Sequence, residues 1–311
     1  MQASELAQFF RAIGNRIIQT ESCYWYNPKP LLFKSLPIHR LVEASPAEIA
    51  QVMIKGPAFA IRYPRTPDKS GPRGGMYVCS NRDYDFPALS QNVRSRTRRG
   101  LARCRIEQID FEYLAQHGHA LTAETTLRQM GTAPSATEEE WKLFCENASR
   151  SKDFEAWGAF VEDRLATFIV AMLVEDCYYI HLQKSASDLL KYYPNNALLF
   201  TVMKTTLARP DVAYISHGPK ALAVGKGLDY YKTSMGFELQ PYTDHVVFNP
   251  LVKPFLMWKG DAVVNKLVER YPDNLFWQRA SRALRVARGE EPRAEESKGG
   301  GGRPATRVAR R

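Results

Sequence analysis

The sequence predicts a mixed α/β protein in which helices flank a mostly antiparallel sheet. Two Val-Glu-Asp turns separate three apolar, extended runs, at 156–161, 165–174 and 177–182, and this pattern indicates an antiparallel meander. A long helix follows the meander, because Pro194 suits a first helical position and apolar residues recur at helical spacing up to Leu207. Strands and helices that alternate in this way are typical of one mixed sheet covered by helices.

The composition is that of an ordinary globular protein. The chain has 311 residues, of which 44% are hydrophobic and 24% are charged, so it can bury one large core or two small ones. This balance excludes a mostly disordered chain, a collagen-like fibre and a disulfide scaffold. No run approaches the 18 apolar residues that a membrane-spanning helix needs, so we expect no membrane span.

The N-terminal segment and the cysteines bear on the cellular compartment. Apolar residues from Leu6 to Ile18 recur at helical spacing and charged residues interrupt them, so we predict an amphipathic helix and not an export signal. Without such a signal we expect a cytoplasmic protein. The five cysteines are widely spaced and none forms a CxxC pair, so we expect reduced thiols and no metal site.

The other elements follow from local patterns. Two extended runs, 58–63 and 75–79, predict a hairpin with a long loop rich in Pro, Gly and basic residues. The remaining elements before the meander are a helix in the arginine-rich segment, a strand at 106–109, a helix at 121–130 and another helix behind a capping box at 135–138. After the long helix we predict a strand at 212–216, short strands at 237–239 and 245–248 that close the sheet, and helices at about 260–269 and 273–287.

The net charge of +10 is concentrated in two segments. Residues 288–311 carry seven basic and four acidic residues and four successive glycines, which predicts a disordered basic tail. The second segment holds six arginines within twelve residues: Arg94, Arg96, Arg98, Arg99, Arg103 and Arg105. Such a cluster suits phosphates or an RNA backbone, and it equally suits a solvated helix face whose charges pair with acids elsewhere in the fold.

Three stretches together resemble the FemAB-like branch of the GNAT acyltransferase superfamily. Residues 89–105 are similar to the basic helix that opens such domains, and residues 161–208 resemble their succession of strand, turn, strand, small-residue loop, proline and long helix. Residues 227–239, GLDYYKTSMGFEL, are similar to the Gly-Leu-x-x-aromatic-Lys-x-x-x-Gly-Phe element of the family. The resemblance covers about half of the chain.

The resemblance implies an N-acyltransferase that moves an acyl or aminoacyl group from acyl-CoA or aminoacyl-tRNA to an amine. It implies a GNAT-like domain at 89–250, preceded by an N-terminal α/β region at 1–88 that extends the sheet. The C-terminal helices at 251–287 and the basic tail follow. One departure concerns the donor: family members that use acetyl-CoA hold its pyrophosphate on a glycine-containing loop, whereas residues 183–188 contain no glycine. This departure favours members that use tRNA or another donor.

Five residues in and near the resembling stretches are candidate site residues. His217, at a strand end, and Tyr193, before the long helix, are candidate catalytic residues, as general base and proton donor, although each also suits a structural role. Asn195, Asn196 and Lys232 are candidate donor-binding residues. The two asparagines can add amide donors to the anion site at the helix start or simply cap the helix, and Lys232 can hold an anion or form a structural salt bridge.

A second class of function stays open on the sequence alone. The same fold without catalysis could hold nucleic acid or a protein partner through its basic surface. The arginine cluster, the tail and the loop without glycine all fit such a binding module. Convergence of Lys232, His217 and Asn196 on one deep pocket would favour an enzyme.

Overall fold

A computed structural model describes most of the chain. The described residues are 1–68, 73–130, 136–220, 226–251, 253–255, 261–271, 277, 278, 281, 284 and 285. The strands are β1 (Ile17–Gln19), β2 (Tyr24–Lys29), β3 (Leu32–Leu36), β4 (Ala60–Arg65), β5 (Arg73–Cys79), β6 (Arg105–Ile109), β7 (Phe154–Val161), β8 (Arg164–Val174), β9 (Cys177–Ser185), β10 (Tyr214–Pro219) and β11 (Glu238–Phe248). The helices are α1 (Ala3–Ala12), α2 (Pro46–Lys55), α3 (Gln91–Leu101), α4 (Phe111–Met130), α5 (Glu138–Ser149), α6 (Pro194–Leu207), α7 (Lys226–Ser234), α8 (Lys253–Phe255) and α9 (Asp261–Arg270).

All eleven strands belong to one sheet, in the order β1-β2-β3-β4-β11-β5-β10-β9-β8-β7-β6. Eight of the ten neighbouring pairs are antiparallel, and only β3–β4 and β9–β10 are parallel. The predicted fold class, a mixed and mostly antiparallel sheet flanked by helices, is therefore confirmed.

The meander and the long helix form as predicted. β7, β8 and β9 pair in antiparallel register, and their two tight turns place Glu162 and Glu175 at positive φ, 54° and 59°. α6 begins at Pro194, whose missing N–H would have no partner in the first turn of a helix. The arginine-rich helix and the strand after it are confirmed as α3 and β6.

The predicted hairpin between residues 58–63 and 75–79 is wrong. β4 and β5 do not pair, because β11 lies between them and pairs with both. The two short C-terminal strands form this single strand and lie inside the sheet instead of closing it. Pro241 is accommodated because the pairing with β4 begins only at Thr243, so the proline lies where β11 has a partner on one side.

Three local boundaries also differ from the prediction. α1 ends at Ala12, and Gly14 at φ +91° precedes β1, so Ile17 and Ile18 are strand residues. The helix predicted at 121–130 is the second half of α4. The cap of α5 is Thr137, whose hydroxyl accepts from the N–H of Glu140 while the Glu140 carboxylate accepts from the N–H of Thr137.

Each face of the sheet carries its own core. On one face α3 and α6 cover β7 to β10, and on the other α1, α4 and α5 cover the same strands. The sheet curls strongly toward the second face. The ring of Phe10 shows this curl, since it contacts both Tyr26 on β2 and His181 on β9, at centroid distances of 4.8 and 6.2 Å. Strands six places apart in the order thus face the same interior.

The remaining expectations concern a membrane span, a metal site, the cysteines and the C-terminal segments. Within the described ranges no helix is long and apolar enough to cross a membrane, no cluster of His, Cys, Asp or Glu is arranged to hold a metal, and the five cysteines are free thiols. The basic tail at 288–311 and most of the helix predicted at 273–287 lie outside the described residues. The division at 88, 250 and 287 stays a prediction.

Candidate functional site

The candidate site lies where the parallel strands β9 and β10 separate. Their pairing ends at Ser216 opposite Tyr179. Beyond this point β9 continues along β8 to Ser185, while β10 continues along β5 to the pair of Pro219 with Met76. Gly218 adopts φ +75° within the diverging part, where a side chain on it would meet the Tyr179 hydroxyl at 3.2 Å. The result is a gap in the middle of the sheet.

A chain of hydrogen bonds crosses this gap on the α6 face. The Nε2 of His217 lies 3.1 Å from the Gln183 Oε1, and the Nε2 of Gln183 donates to the Tyr231 hydroxyl at 3.1 Å. Tyr231 in turn donates to the backbone carbonyl of Asn195 at 3.0 Å, and the Nζ of Lys232 donates to the His217 carbonyl at 2.7 Å. The structure therefore brings His217, Asn195 and Lys232 into one network.

Burial changes the pKa values of the two titratable side chains of this network, His217 and Lys232. Burial and the nearby Lys232 ammonium lower the pKa of His217 to about 3, so its imidazole is neutral at physiological pH. Lys232 is only 6% exposed and lies 4.7 Å from the centre of the Tyr77 ring. Burial lowers its pKa to about 8, although Asp229 acts in the opposite direction. Lys232 thus titrates close to neutrality.

The start of α6 carries the other three candidates. Tyr193 adopts φ +59° immediately before Pro194, and its ring packs beneath the Arg99 guanidinium at 4.6 Å. The Asn195 side chain accepts from the Thr167 hydroxyl at 2.8 Å. The Nδ2 of Asn196 donates to the Met235 sulfur at 3.5 Å. Tyr193 forms no hydrogen bond with the His217 network among the described residues, whereas Asn196 reaches it through Met235, whose N–H donates to the carbonyls of Tyr231 and Lys232.

The loop between β9 and α6 uses its backbone N–H groups internally. The N–H of Ser185 donates to the Thr125 hydroxyl at 2.9 Å, and that of Ala186 donates to the Ala166 carbonyl at 2.9 Å. The N–H of Ser187 donates to the Glu124 carboxylate at 2.6 Å. The Arg128 guanidinium also lies at this loop, where it donates to the Ser185 carbonyl and to the hydroxyls of Ser185 and Ser187. An anion that approached the loop would find no free N–H at these three positions, and the absence of these backbone donors disfavours pyrophosphate binding.

The arginine cluster forms two groups. Arg105 pairs with Glu107, and Arg94 donates to the carbonyls of Leu89 and Pro87. The other four, Arg96, Arg98, Arg99 and Arg103, have no acidic partner among the residues that the structure describes. Three of these four lie over aromatic rings from other elements: Arg98 over Phe86, Arg99 over Tyr193 and Arg103 over Tyr192. The surface beside the start of α6 is therefore basic and partly ordered by stacking.

A cavity of about 180 Å³ lies inside the curl of the sheet, on the face opposite the His217 network. We call it the curl cavity. Its polar lining comes from nine side chains on five strands: Tyr26, Lys34, Ser35, Arg62, Tyr63, Tyr179, His181, Tyr242 and Asp244. Arg62 and Asp244 form a two-point ion pair, with distances of 2.9 Å from Nε to Oδ1 and 2.7 Å from Nη2 to Oδ2. Tyr179 and Pro219 also line it, so the cavity reaches the gap between β9 and β10.

Solved structures show which fold this is. FemX superposes with a TM-score of 0.55 at 13% identity, and the match covers 80% of this chain and 92% of that one. The C-terminal domain of a putative lysylphosphatidylglycerol synthetase from Agrobacterium fabrum gives 0.54 at 10% identity, covering 82% and 93%. The chain has a FemX-like fold. Neither a family model nor a curated protein matches the sequence, and at these identities the structural similarity establishes the fold alone.

Sequence reasoning does not find several residues of this site. Gln183 and Tyr231 lie within the resembling stretches, but nothing in their local pattern distinguishes them from packing residues. On the sequence alone, His181 is one histidine on a strand. Burial and the nearby Lys184 lower its pKa to about 4, and its ring stacks on Phe144 at 5.8 Å. The signal for the curl cavity is the alternation of polar residues along β3, β4 and β11, which faces a common interior only once the sheet curls.

Proposed function

We propose that this protein transfers an acyl or aminoacyl group from a carrier to an amine. The observation that carries the proposal is the gap between β9 and β10, with a polar network on one face and a polar cavity on the other. A transfer reaction needs a donor and an acceptor to meet from separate binding sites, and a gap that opens to both faces of a sheet supplies that geometry.

The implied reaction has a simple balance of bonds and protons. The acceptor ammonium loses a proton to a base, and the freed lone pair attacks the donor carbonyl carbon. This attack forms the C–N bond and a tetrahedral oxyanion, and the attached nitrogen loses a second proton to the base or to the leaving group. When the oxyanion collapses, the C–O bond of an aminoacyl ester or the C–S bond of a thioester breaks. The leaving oxygen or sulfur then takes up a proton. Donors near the gap stabilise the oxyanion.

Aminoacyl-tRNA is the donor that the contacts favour over acyl-CoA. The loop where acetyl-CoA-dependent relatives hold pyrophosphate is occupied here by Glu124, and its N–H groups are used. The stacked arginines beside α6 supply a surface for an RNA backbone. One of the two structural neighbours is named as a putative synthetase of lysylphosphatidylglycerol, a product that carries an aminoacyl group.

The five candidate residues keep roles within this proposal. Neutral His217 acts at the gap as proton acceptor or as the group that orients one, and Tyr193 supplies a phenolic proton to the leaving group. Asn195, Asn196 and Lys232 bind the donor side. The GNAT-like domain spans 89–250, and residues 1–88 complete the sheet that holds the acceptor.

Donor binding tests the proposal first. Bulk aminoacyl-tRNA is expected to bind the full chain and raise its melting temperature, whereas acetyl-CoA and longer acyl-CoAs are not. The double variant Arg99→Gln/Arg103→Gln should weaken tRNA binding and lower the dependence of log Kd on log salt by about 1 for each phosphate that is no longer neutralised. Arg105→Gln is the matched control, because Arg105 already pairs with Glu107.

Transfer itself separates an enzyme from a binding module. Labelled amino acid on tRNA should appear on an added amine in the presence of the protein and at the spontaneous rate without it. Binding of tRNA without transfer to any amine would favour the non-catalytic alternative, which the basic surface also suits. A thermal shift with an acyl-CoA and none with tRNA would overturn the preference for an RNA-borne donor.

A further inference from the structure

We infer that the curl cavity binds the acceptor, and that this acceptor is a small molecule carrying a carboxylate as well as its amine. The inference rests on the proposed transfer function and names the class of its second substrate. The residues that carry it lie on the face of the sheet away from α6.

Unused hydrogen-bonding groups inside the cavity point to a ligand. Tyr26 and Tyr179 are only 6% and 8% exposed, yet neither hydroxyl has a hydrogen-bond partner among the described residues. The His181 ring contacts Phe10, Phe144 and Tyr179, but neither of its nitrogens is hydrogen-bonded within the described part of the chain. The Ser35 hydroxyl, which also belongs to the lining, is fully buried and has no partner among the described residues. Buried polar groups in folded proteins almost always have partners, so these groups together form the wall of a polar binding site.

The lining offers more hydrogen-bond donors than acceptors. Four tyrosines, Ser35 and Arg62 line the cavity with groups that can donate, and Asp244 supplies the single carboxylate of the lining. Arg62 uses its Nε and Nη2 on the Asp244 carboxylate, so a ligand carboxylate would be bound by the remaining N–H groups of this guanidinium. A ligand that complements this wall brings acceptors and negative charge, as a carboxylate does.

The position of the curl cavity relative to the gap between β9 and β10 indicates the orientation of the ligand. Tyr179 is the last residue of β9 that pairs with β10, so the end of the cavity at Tyr179 and His181 adjoins the gap where the acyl group would arrive. The amine therefore lies at this end, where a nitrogen of the neutral His181 ring can accept a hydrogen bond from it. The carboxylate lies toward Arg62. The volume of about 180 Å³ corresponds to roughly six waters, a space that suits an α-amino acid or a molecule of similar size.

Calorimetry on the full chain without any donor tests the site. The probes are the twenty proteinogenic L-amino acids, each followed by its carboxamide and its decarboxylated amine. We expect at least one amino acid to bind with one-to-one stoichiometry, and its two analogues to bind roughly tenfold or more weakly. Tyr26→Phe and Tyr179→Phe should each weaken binding about three- to tenfold, since each removes one unpartnered hydroxyl.

Tyr24→Phe is the matched control. Tyr24 lies on the same strand and the same face as Tyr26 but does not line the cavity, so this variant should bind like the unaltered chain. The melting temperatures of all three variants should stay close to that of the unaltered chain, because the removed oxygens of the two cavity tyrosines have no protein partner among the described residues. Absence of binding by every amino acid, equal binding of the analogues, or unchanged affinity in both cavity variants would overturn the inference.

The outcomes also separate this inference from the proposed function. Carboxylate-dependent binding without any transfer would support the cavity site and contradict the transfer reaction. Transfer to an amine that lacks a carboxylate, with KM unchanged in Tyr26→Phe and Tyr179→Phe, would support the reaction and overturn the cavity site.

Discussion

The buried Lys232 predicts a specific dependence of stability on pH. Its pKa falls from an ordinary value near 10.5 to about 8 because the ammonium is buried, and its Nζ donates to the His217 carbonyl at 2.7 Å. Below pH 8 the folded and unfolded chains both hold this proton, so the cost of burying the charge is fully present. Between pH 8 and 10.5 the unfolded chain binds more protons than the folded one, so the free energy of unfolding rises with pH.

The magnitude follows from the same two values. The full displacement corresponds to about 3 kcal/mol, of which about 2 kcal/mol is expressed between pH 7.5 and 9.5. Urea unfolding of the unaltered chain and of Lys232→Met, measured at several pH values in this range, gives the difference between their free energies of unfolding. The contributions of the other titrating groups cancel in this difference. We expect that difference to change by about 2 kcal/mol in favour of the unaltered chain as pH rises.

Two further results would show whether the Lys232 ammonium is buried in the folded chain. Lys232→Arg keeps its charge throughout the range, so its free energy of unfolding should run parallel to that of Lys232→Met and lie below it. If the unaltered chain also runs parallel to Lys232→Met, the lysine ammonium is not buried as the structure places it, and the description of the His217 network fails.

Three other substitutions test contacts elsewhere. Gly100→Ala places a methyl group 2.6 Å from the Tyr193 carbonyl, so urea unfolding should show a loss of about 1–3 kcal/mol; full stability would mean that α3 and α6 pack less closely. Glu124→Ala releases the Ser187 N–H and removes a negative charge, so calorimetry should detect CoA binding at least roughly fivefold tighter than the detection limit at which the unaltered chain shows none; no binding by the variant would mean that Glu124 is not what disfavours CoA. Glu162→Gly relieves a positive φ at an exposed turn and should stabilise the chain by about 0.5–1 kcal/mol in thermal unfolding, whereas a decrease in stability would mean that the Glu162 side chain contributes there.

Local signals are sufficient where an element is specified by its neighbours in sequence. The meander of β7, β8 and β9 follows from three apolar runs and two turns, and α6 follows from Pro194 and a helical apolar stripe. Such features depend on backbone preferences and on the periodicity of burial, both of which act over a few residues. The arginine helix is predictable for the same reason.

Pairing over long distances is not predictable in this way. β11 enters between β4 and β5 from nearly 160 residues beyond β5, and no local pattern in the runs at 58–63 and 75–79 shows that their edges will be separated. A strand presents the same row of N–H and C=O groups to any partner. The choice of partner is therefore made by packing across the whole sheet.

The candidate site shows the same contrast between features that local sequence specifies and features that depend on long-range packing. From the sequence alone we predict that His217 lies at a strand end and Asn195 at a helix start, that Lys232 lies in the element at 227–239, that a basic helix precedes them and that the loop after the meander has no glycine. Only the tertiary structure joined those residues through Gln183 and Tyr231, filled the loop with Glu124 from α4, and curled the sheet until Tyr26 and Tyr179 lined one cavity. The physical reason is that hydrogen bonds and cavities depend on distances between atoms, and chain segments far apart in sequence acquire defined distances only when the cores on both faces of the sheet are packed.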